Sequence, residues 1–250
     1  MKIHISYDFL NNINSVYYNY TNCHTIVIDV LRASTTINTL LEFNNEIYVT
    51  ETKNLFNDEY DEGFIKFGEK NGKKITNCSY GNSPIEVKLN KEEITNKLNN
   101  SNNKILMATT NGTRVLNSII SNDDIFIGSI TNSAYIGEYV FNLAYKNNKD
   151  IVIIPVHRKG EFAIEDYIGG GLIIKSILKQ CNIHNIVVNT EPLIPALNLI
   201  KGDWKKEILK SNSAENLKKL GHIEDILFCI SENTQKIVGK YRNGKITNVL

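Results

Sequence analysis

Strand-like apolar runs and helix-patterned stretches take turns along this chain, and that alternation narrows the fold more than any other feature. Runs of strand character occur at Thr25–Val30, Glu46–Thr50, Lys104–Ala108, Asp124–Gly128, Asp150–Val156, Asn185–Asn189 and Ile226–Ser231. Between them, Ser34–Phe43 sets Ile37, Leu40 and Leu41 on one helical face, and Thr113–Ile120 groups Val115, Leu116, Ile119 and Ile120. Asp166–Gln180 groups Ile168, Leu172, Ile173 and Leu178 in the same way. This alternation predicts an α/β fold, layered α/β/α around a mostly parallel or mixed sheet. Functional groups are expected on the loops that follow the carboxyl ends of strands. The polar stretch Lys88–Lys104 reads as a surface helix or a linker, and Lys201–Leu220 as a solvated insertion. At 250 residues the chain has room for one α/β domain over 1–250, undivided or built of two closely packed subdomains.

Charge and apolar content narrow the partners. A net charge of +1 provides no field for gripping a nucleic-acid backbone. No apolar run approaches the length of a membrane span, and Met1-Lys2-Ile3-His4 begins no signal peptide. Cys23, Cys78, Cys181 and Cys229 are scattered without a C-x-x-C pair, which suggests neither a zinc site nor a disulfide framework. The expectation is a cytoplasmic protein with no membrane or nucleic-acid partner. Homo-oligomerisation is left open.

Chemistry concentrates at the turns. In VIDVLRASTTI (residues 27–37) a strand ends at Ile28 and a helix opens near Ala33, with Asp29 and Arg32 between them. A helix N-terminus leaves N–H groups unpaired and attracts anions. Ser34, Thr35 and Thr36 add hydroxyls, and Arg32 adds a guanidinium fork suited to phosphate or carboxylate. Asp29 beside such a seat suits Mg²⁺, which prefers oxygen ligands and substrate phosphates. The alternative is a plain Ser/Thr helix cap with an exposed arginine. ATTNGTR (108–114) repeats the pattern: Asn111-Gly112 turns the chain, Gly112 permits close approach to the backbone, and Thr113-Arg114 opens a helix. FGEKNGKKITNCSYGNSPIEV (67–87) reads as a long loop presenting Glu69 and Lys70, closed by the rigid Gly81-Asn82-Ser83-Pro84. In AIEDYIGGG (163–171), Glu165 and Asp166 open a helix, where paired acids serve either the helix dipole or a metal.

Other phosphate chemistries do not fit. Leu31 stands where a D-x-D nucleophile motif needs its second acid. No cysteine has an arginine six positions on. Glu69 follows Gly63 and Gly68 where a P-loop needs lysine. His24, His157 and His184 lack metal-ligand spacing.

Together, IDVLRASTTI, GEKNG, GNSPIEV, TTNGTRVL, EDYIGGG and the tail GHIEDILFCISENT, in this order, resemble the 2-phosphosulfolactate phosphatase family. The resemblance implies an Mg²⁺-dependent hydrolase that cleaves phosphate from a sulfonated lactate in coenzyme M biosynthesis, on a layered fold with a mixed sheet. It places Asp29, Arg32, Glu69, Asn82, Ser83, Thr110, Asn111, Arg114, Glu165 and Asp166 in the site. The resulting expectation assigns Asp29, Arg32, Glu69 and Arg114 to catalysis. Ser34, Thr35, Asn82, Ser83, Thr110, Asn111, Gly112 and Thr113 are assigned to a small anionic phosphorylated substrate. Asp29, Glu69, Glu165 and Asp166 are assigned to Mg²⁺. Lys70 departs from the arginine expected after the family's Gly-Glu, Ser79-Tyr80 from the usual Gly-Phe, and Pro155-Val156-His157-Arg158 from a small, glycine-containing segment. These departures bear on substrate more than on reaction type. A phosphatase of another small phosphorylated hydroxy acid, and a non-catalytic binder of anionic metabolites, are the alternatives.

Overall fold

The computed structural model describes residues 1–6, 22–57, 60, 63–101, 103–119, 124–158 and 161–250. Among them, ten strands join in one sheet. They are β1 (Ile3–Ile5), β2 (Cys23–Ile28), β3 (Glu46–Glu51), β4 (Phe64–Lys70), β5 (Lys73–Lys74), β6 (Lys104–Thr109), β7 (Ile125–Gly128), β8 (Asp150–Pro155), β9 (Gly239–Arg242) and β10 (Lys245–Asn248). The helices are α1 (Ala33–Leu41), α2 (Pro84–Leu89), α3 (Lys91–Ser101), α4 (Gly112–Ser118), α5 (Ser133–Asn147), α6 (Ile164–Ile183), α7 (Ile194–Leu199), α8 (Trp204–Leu209), α9 (Asn212–Lys219) and α10 (Ile223–Cys229).

The strand order is β1-β8-β2-β7-β9-β10-β3-β6-β4-β5. β1, β8, β2 and β7 are mutually parallel, and so are β3, β6 and β4. The C-terminal hairpin β9–β10 splices these two groups together through antiparallel pairs with β7 and β3. Its turn is Asn243-Gly244, both residues at positive φ, the conformation that Asn-Gly supplies to a two-residue hairpin.

Side chains alternate across the sheet, so each strand feeds two layers. Val27, Ile47, Val49, Ile65, Phe67, Met107, Ile127, Ile154 and Ile246 face one core with Ile37 and Leu40 of α1 and Val115 of α4. Ile26, Ile28, Phe126, Ile151 and Ile153 face the other, beneath Phe141 of α5 and Ile173 and Ile177 of α6. The result is the expected α/β/α layering on a mixed, mostly parallel sheet.

Five of the expected strands coincide with β2, β3, β6, β7 and β8. Asn185–Asn189 forms no strand: Ile186 and Val188 pack on the core, yet Val187 is 96% exposed. Ile226–Ser231 begins inside α10, because Ile226, Cys229 and Ile230 are buried at helical spacing while Leu227 is exposed. Lys88–Lys104 carries α3. Lys201–Leu220 is no solvated insertion: it forms α8 and α9 and buries Ile208, Ala214 and Leu217. The long loop expected over 67–87 begins as strand, since β4 runs to Lys70 and pairs with β6. Ile120 lies outside the described residues.

Candidate active site

The junction between β2 and α1 is held by its own hydroxyls. Ser34 Oγ accepts the Asp29 N–H at 2.9 Å, and the Ser34 N–H returns to the Asp29 carbonyl at 2.8 Å. Thr35 bonds the Val30 carbonyl and the Ser129 hydroxyl, and Thr36 bonds the Arg32 and Asn82 carbonyls. These hydroxyls are buried and spent on the fold, and the N-cap residue Arg32 makes no side-chain capping bond to α1. The peptide bond between Leu31 and Arg32 is cis. The arrangement leaves Asp29 and Arg32 facing a cavity of about 600 Å³.

Four carboxylates gather on that cavity: Asp29, Glu69, Glu165 and Asp166. Burial, and then the like charges of Glu165 and Glu69, push Asp29 from 3.8 up to about 6, although the Ala33 N–H and Arg158 pull the other way. Asp166 is raised well above the usual carboxylate range by burial, Asp29 and Glu165. Its oxygens accept the N–H groups of Val30 at 2.7 Å and His157 at 3.0 Å, so it ties the ends of β2 and β8 together. Glu69 and the buried Asp225 grip the two terminal nitrogens of Arg32. Burial opposes the charge of Arg32, but these carboxylates outweigh it and raise its pKa.

The second turn closes the wall opposite. Thr109 Oγ1 takes the Thr113 N–H at 2.7 Å, and Thr109, Thr110 and Asn111 line the cavity. A Cβ built on Gly112 would lie 3.6 Å from Asp29 Oδ2, so the two junctions meet in space. Asn82 lines the cavity as well; its amide holds the Ala108 carbonyl at 2.9 Å, and its buried Oδ1 has no partner. α9 adds Ser213, Asn216 and Lys219.

Thus Asp29, Arg32, Glu69, Asn82, Thr110, Asn111, Glu165 and Asp166 come together on one cavity, whereas Ser34, Thr35, Ser83, Gly112, Thr113 and Arg114 lie outside its lining. Ser83 caps α2 and donates to Asp225 at 2.6 Å. Arg114 is partly buried, with Nε and Nη2 lacking partners. His157, Arg158, Ser213, Asn216, Lys219 and, behind the wall, Asp225 were not singled out for the site from the sequence. For Asp225 a signal existed, since it stands in the tail GHIEDILFCISENT. For α9 there was none, because a helix that is polar on its outer face reads as solvated.

A model of the 2-phosphosulpholactate phosphatase family matches residues 12–244. The chain belongs to that family. The 2-phosphosulfolactate phosphatase of Methanocaldococcus jannaschii is 42% identical over 220 residues, covering 88% of this chain and 89% of that protein. A probable 2-phosphosulfolactate phosphatase of Thermotoga maritima is 33% identical over 225 residues, 89% of this chain and 91% of its own. One of Clostridium acetobutylicum is 30% identical over 234 residues, with 90% and 92% covered. In this member of the 2-phosphosulfolactate phosphatase family, Lys70 is exposed and outside the lining, so its departure from arginine leaves the cavity wall unchanged. His157 and Arg158 are on the lining, where a departure can alter what the site accepts.

Proposed function

We propose that this protein is a phosphoric monoester hydrolase that converts 2-phosphosulfolactate and water to 3-sulfolactate and phosphate, a step of coenzyme M biosynthesis. The observation that carries the reading is the like-charged acid cluster around Asp29, set on a cavity that also presents Arg32, Arg158 and Lys219. Membership of the family and the activity for which its relatives are named support the substrate. Buried cysteines that form no disulfide among the described residues suit the cytoplasm.

The cluster fits Mg²⁺. Its donors are all oxygen, and its mutual repulsion is what a hard divalent cation relieves. Among the described residues no three metal-binding side chains form a ready cage. Mg²⁺ needs only one or two carboxylates, with waters and phosphate completing its shell. Asp29 and Glu165 are the acids on the lining with neither an arginine partner nor a pair of backbone N–H groups, so they would hold it. Glu69 and Asp166 stand next in line. The ion would neutralise charge on the phosphoryl oxygens.

The chain's own groups divide the remaining work. Arg32 and Arg158 orient the phosphoryl group, Lys219 and Asn216 meet the far anionic end, and Asn82 and Asn111 supply polar contacts. As water bonds to phosphorus the ester P–O bond breaks, and a proton of the water ends on the sulfolactate hydroxyl. His157 and Arg158 favour a second reading, a related phosphorylated hydroxy acid as the true substrate. Comparing kcat/KM across a panel of phosphorylated hydroxy acids tests the assignment. The highest value for 2-phosphosulfolactate is expected, and a better non-sulfonated substrate would overturn it.

A further inference from the structure

Asp225 joins parts of the site that the cavity lining alone leaves separate. It lies in the first turn of α10, is 1% exposed and does not reach the cavity. Its Oδ2 receives Nη1 of Arg32. Its Oδ1 receives the Ser83 hydroxyl at 2.6 Å and the Ile85 N–H at 3.2 Å, both from the start of α2. His222 Nδ1 stands 3.3 Å from Oδ2. On the cavity side, Glu69 takes Nη2 of Arg32. A guanidinium gripped at both terminal nitrogens has its plane fixed. Only one of the two grips is itself anchored away from the cavity. Glu69 sits on the lining, where a ligand can compete with it, whereas Asp225 is held by α2 behind the wall.

We propose that Asp225 is a positioning residue for Arg32, fixing the guanidinium in the pose in which it meets the anionic group of the substrate. This rests on the phosphatase reading above. Neither carboxylate nor guanidinium is tolerated alone at such burial, so the pair stands or falls together. The hydrogen bonds of Asp225 to α2 also prevent it from swinging after Arg32 when the substrate pulls. Asp225→Asn keeps the shape and the bonds to α2 but removes the charge that aims the guanidinium.

The test is a double-mutant cycle read by phosphate release from 2-phosphosulfolactate. Asp225→Asn lowers kcat/KM about ten- to a hundredfold in the wild-type background, the scale of one charge-assisted hydrogen bond. In an Arg32→Lys background the same change costs less than about twofold, because the group it aims is gone. Equal losses in the two backgrounds would show a merely structural Asp225 and overturn the proposal. If Asp225→Asn does not fold, Asp225→Glu takes its place in the cycle with the same two outcomes. A second readout needs no catalysis: modification of Arg32 by an arginine-specific dicarbonyl, followed by peptide mass spectrometry. Loss of the carboxylate releases one of the two grips on the guanidinium and lets it move, so labelling of Arg32 accelerates about tenfold in Asp225→Asn. Unchanged labelling overturns the positioning role. Absence of phosphate release by the wild-type protein overturns the phosphatase reading instead, and the labelling still decides Asp225.

Discussion

Replacing Asp29 by Asn should make the metal-free protein more stable and nearly inactive. Burial and the acids around it raise Asp29 from 3.8 to about 6. The folded state therefore holds this proton more tightly than the unfolded chain does. The contribution of Asp29 to stability is intact below about pH 4 and is lost as pH rises through about 6. A shift of roughly two units corresponds to about 3 kcal/mol at most, and solvent at the cavity face reduces this to about 1–2 kcal/mol. Asparagine keeps the acceptor for the Ala33 N–H but carries no charge, so it escapes that loss. Thermal unfolding without divalent metal should show wild type and Asp29→Asn alike near pH 4 and separating through pH 6. Above pH 7 the variant should melt about 2–4 °C higher for each kcal/mol recovered. Turnover with Mg²⁺ on the same preparation should fall about a hundredfold or more. A variant less stable than wild type at pH 8 would show that Asp29 is not held above its ordinary pKa, and a stable variant with near-full turnover would remove Asp29 from the chemistry.

Arg32→Lys should lower kcat/KM about ten- to a hundredfold, because one ammonium cannot span Glu69 and Asp225 and still present a planar fork; steady-state kinetics on folded protein checks this. Millimolar Mg²⁺ should raise the melting temperature of wild type more than that of Asp29→Asn, since the ion relieves repulsion that the variant has already lost; equal shifts would move the ion away from Asp29. Gly171→Ala should destabilise the fold by about 1–3 kcal/mol, because its Cβ would lie 2.7 Å from the Ala196 carbonyl oxygen; denaturant unfolding reads this, with kcat unaffected at temperatures where the variant is folded.

The parts of the fold legible in the sequence were those governed by local pattern. β2, β8 and β6 are apolar runs followed by polar turns, and their ends carry Asp29, His157 and Thr109–Asn111 as doubly wound layers require. β4 was hidden because its outer residues Lys66 and Lys70 gave it the look of a charged loop. The β9–β10 hairpin carried an Asn-Gly signal between short apolar runs, but neither its place in mid-sheet nor the opposed directions of the two parallel groups follow from local sequence. α10 was misread because its isoleucines suggested a strand, whereas burial follows helical spacing. In the site, acids and arginines were readable as residue types that need a purpose at a strand's end. Which hydroxyls serve the fold was not readable: Ser34 and Thr35 look like anion donors until their partners, Asp29 and Ser129, are seen. Contacts between distant segments, such as Arg32 with Asp225, depend on topology alone.

In the proposed function the acid cluster at Asp29 serves metal-assisted hydrolysis of a phosphate monoester. The most direct measurement is the initial rate of phosphate release from 2-phosphosulfolactate by protein stripped of divalent metal, then titrated with Mg²⁺. Release should be negligible after stripping and should recover saturably with Mg²⁺, yielding 3-sulfolactate in equal amount. Full activity in the stripped protein, or no release at any Mg²⁺ concentration, would contradict the proposed function.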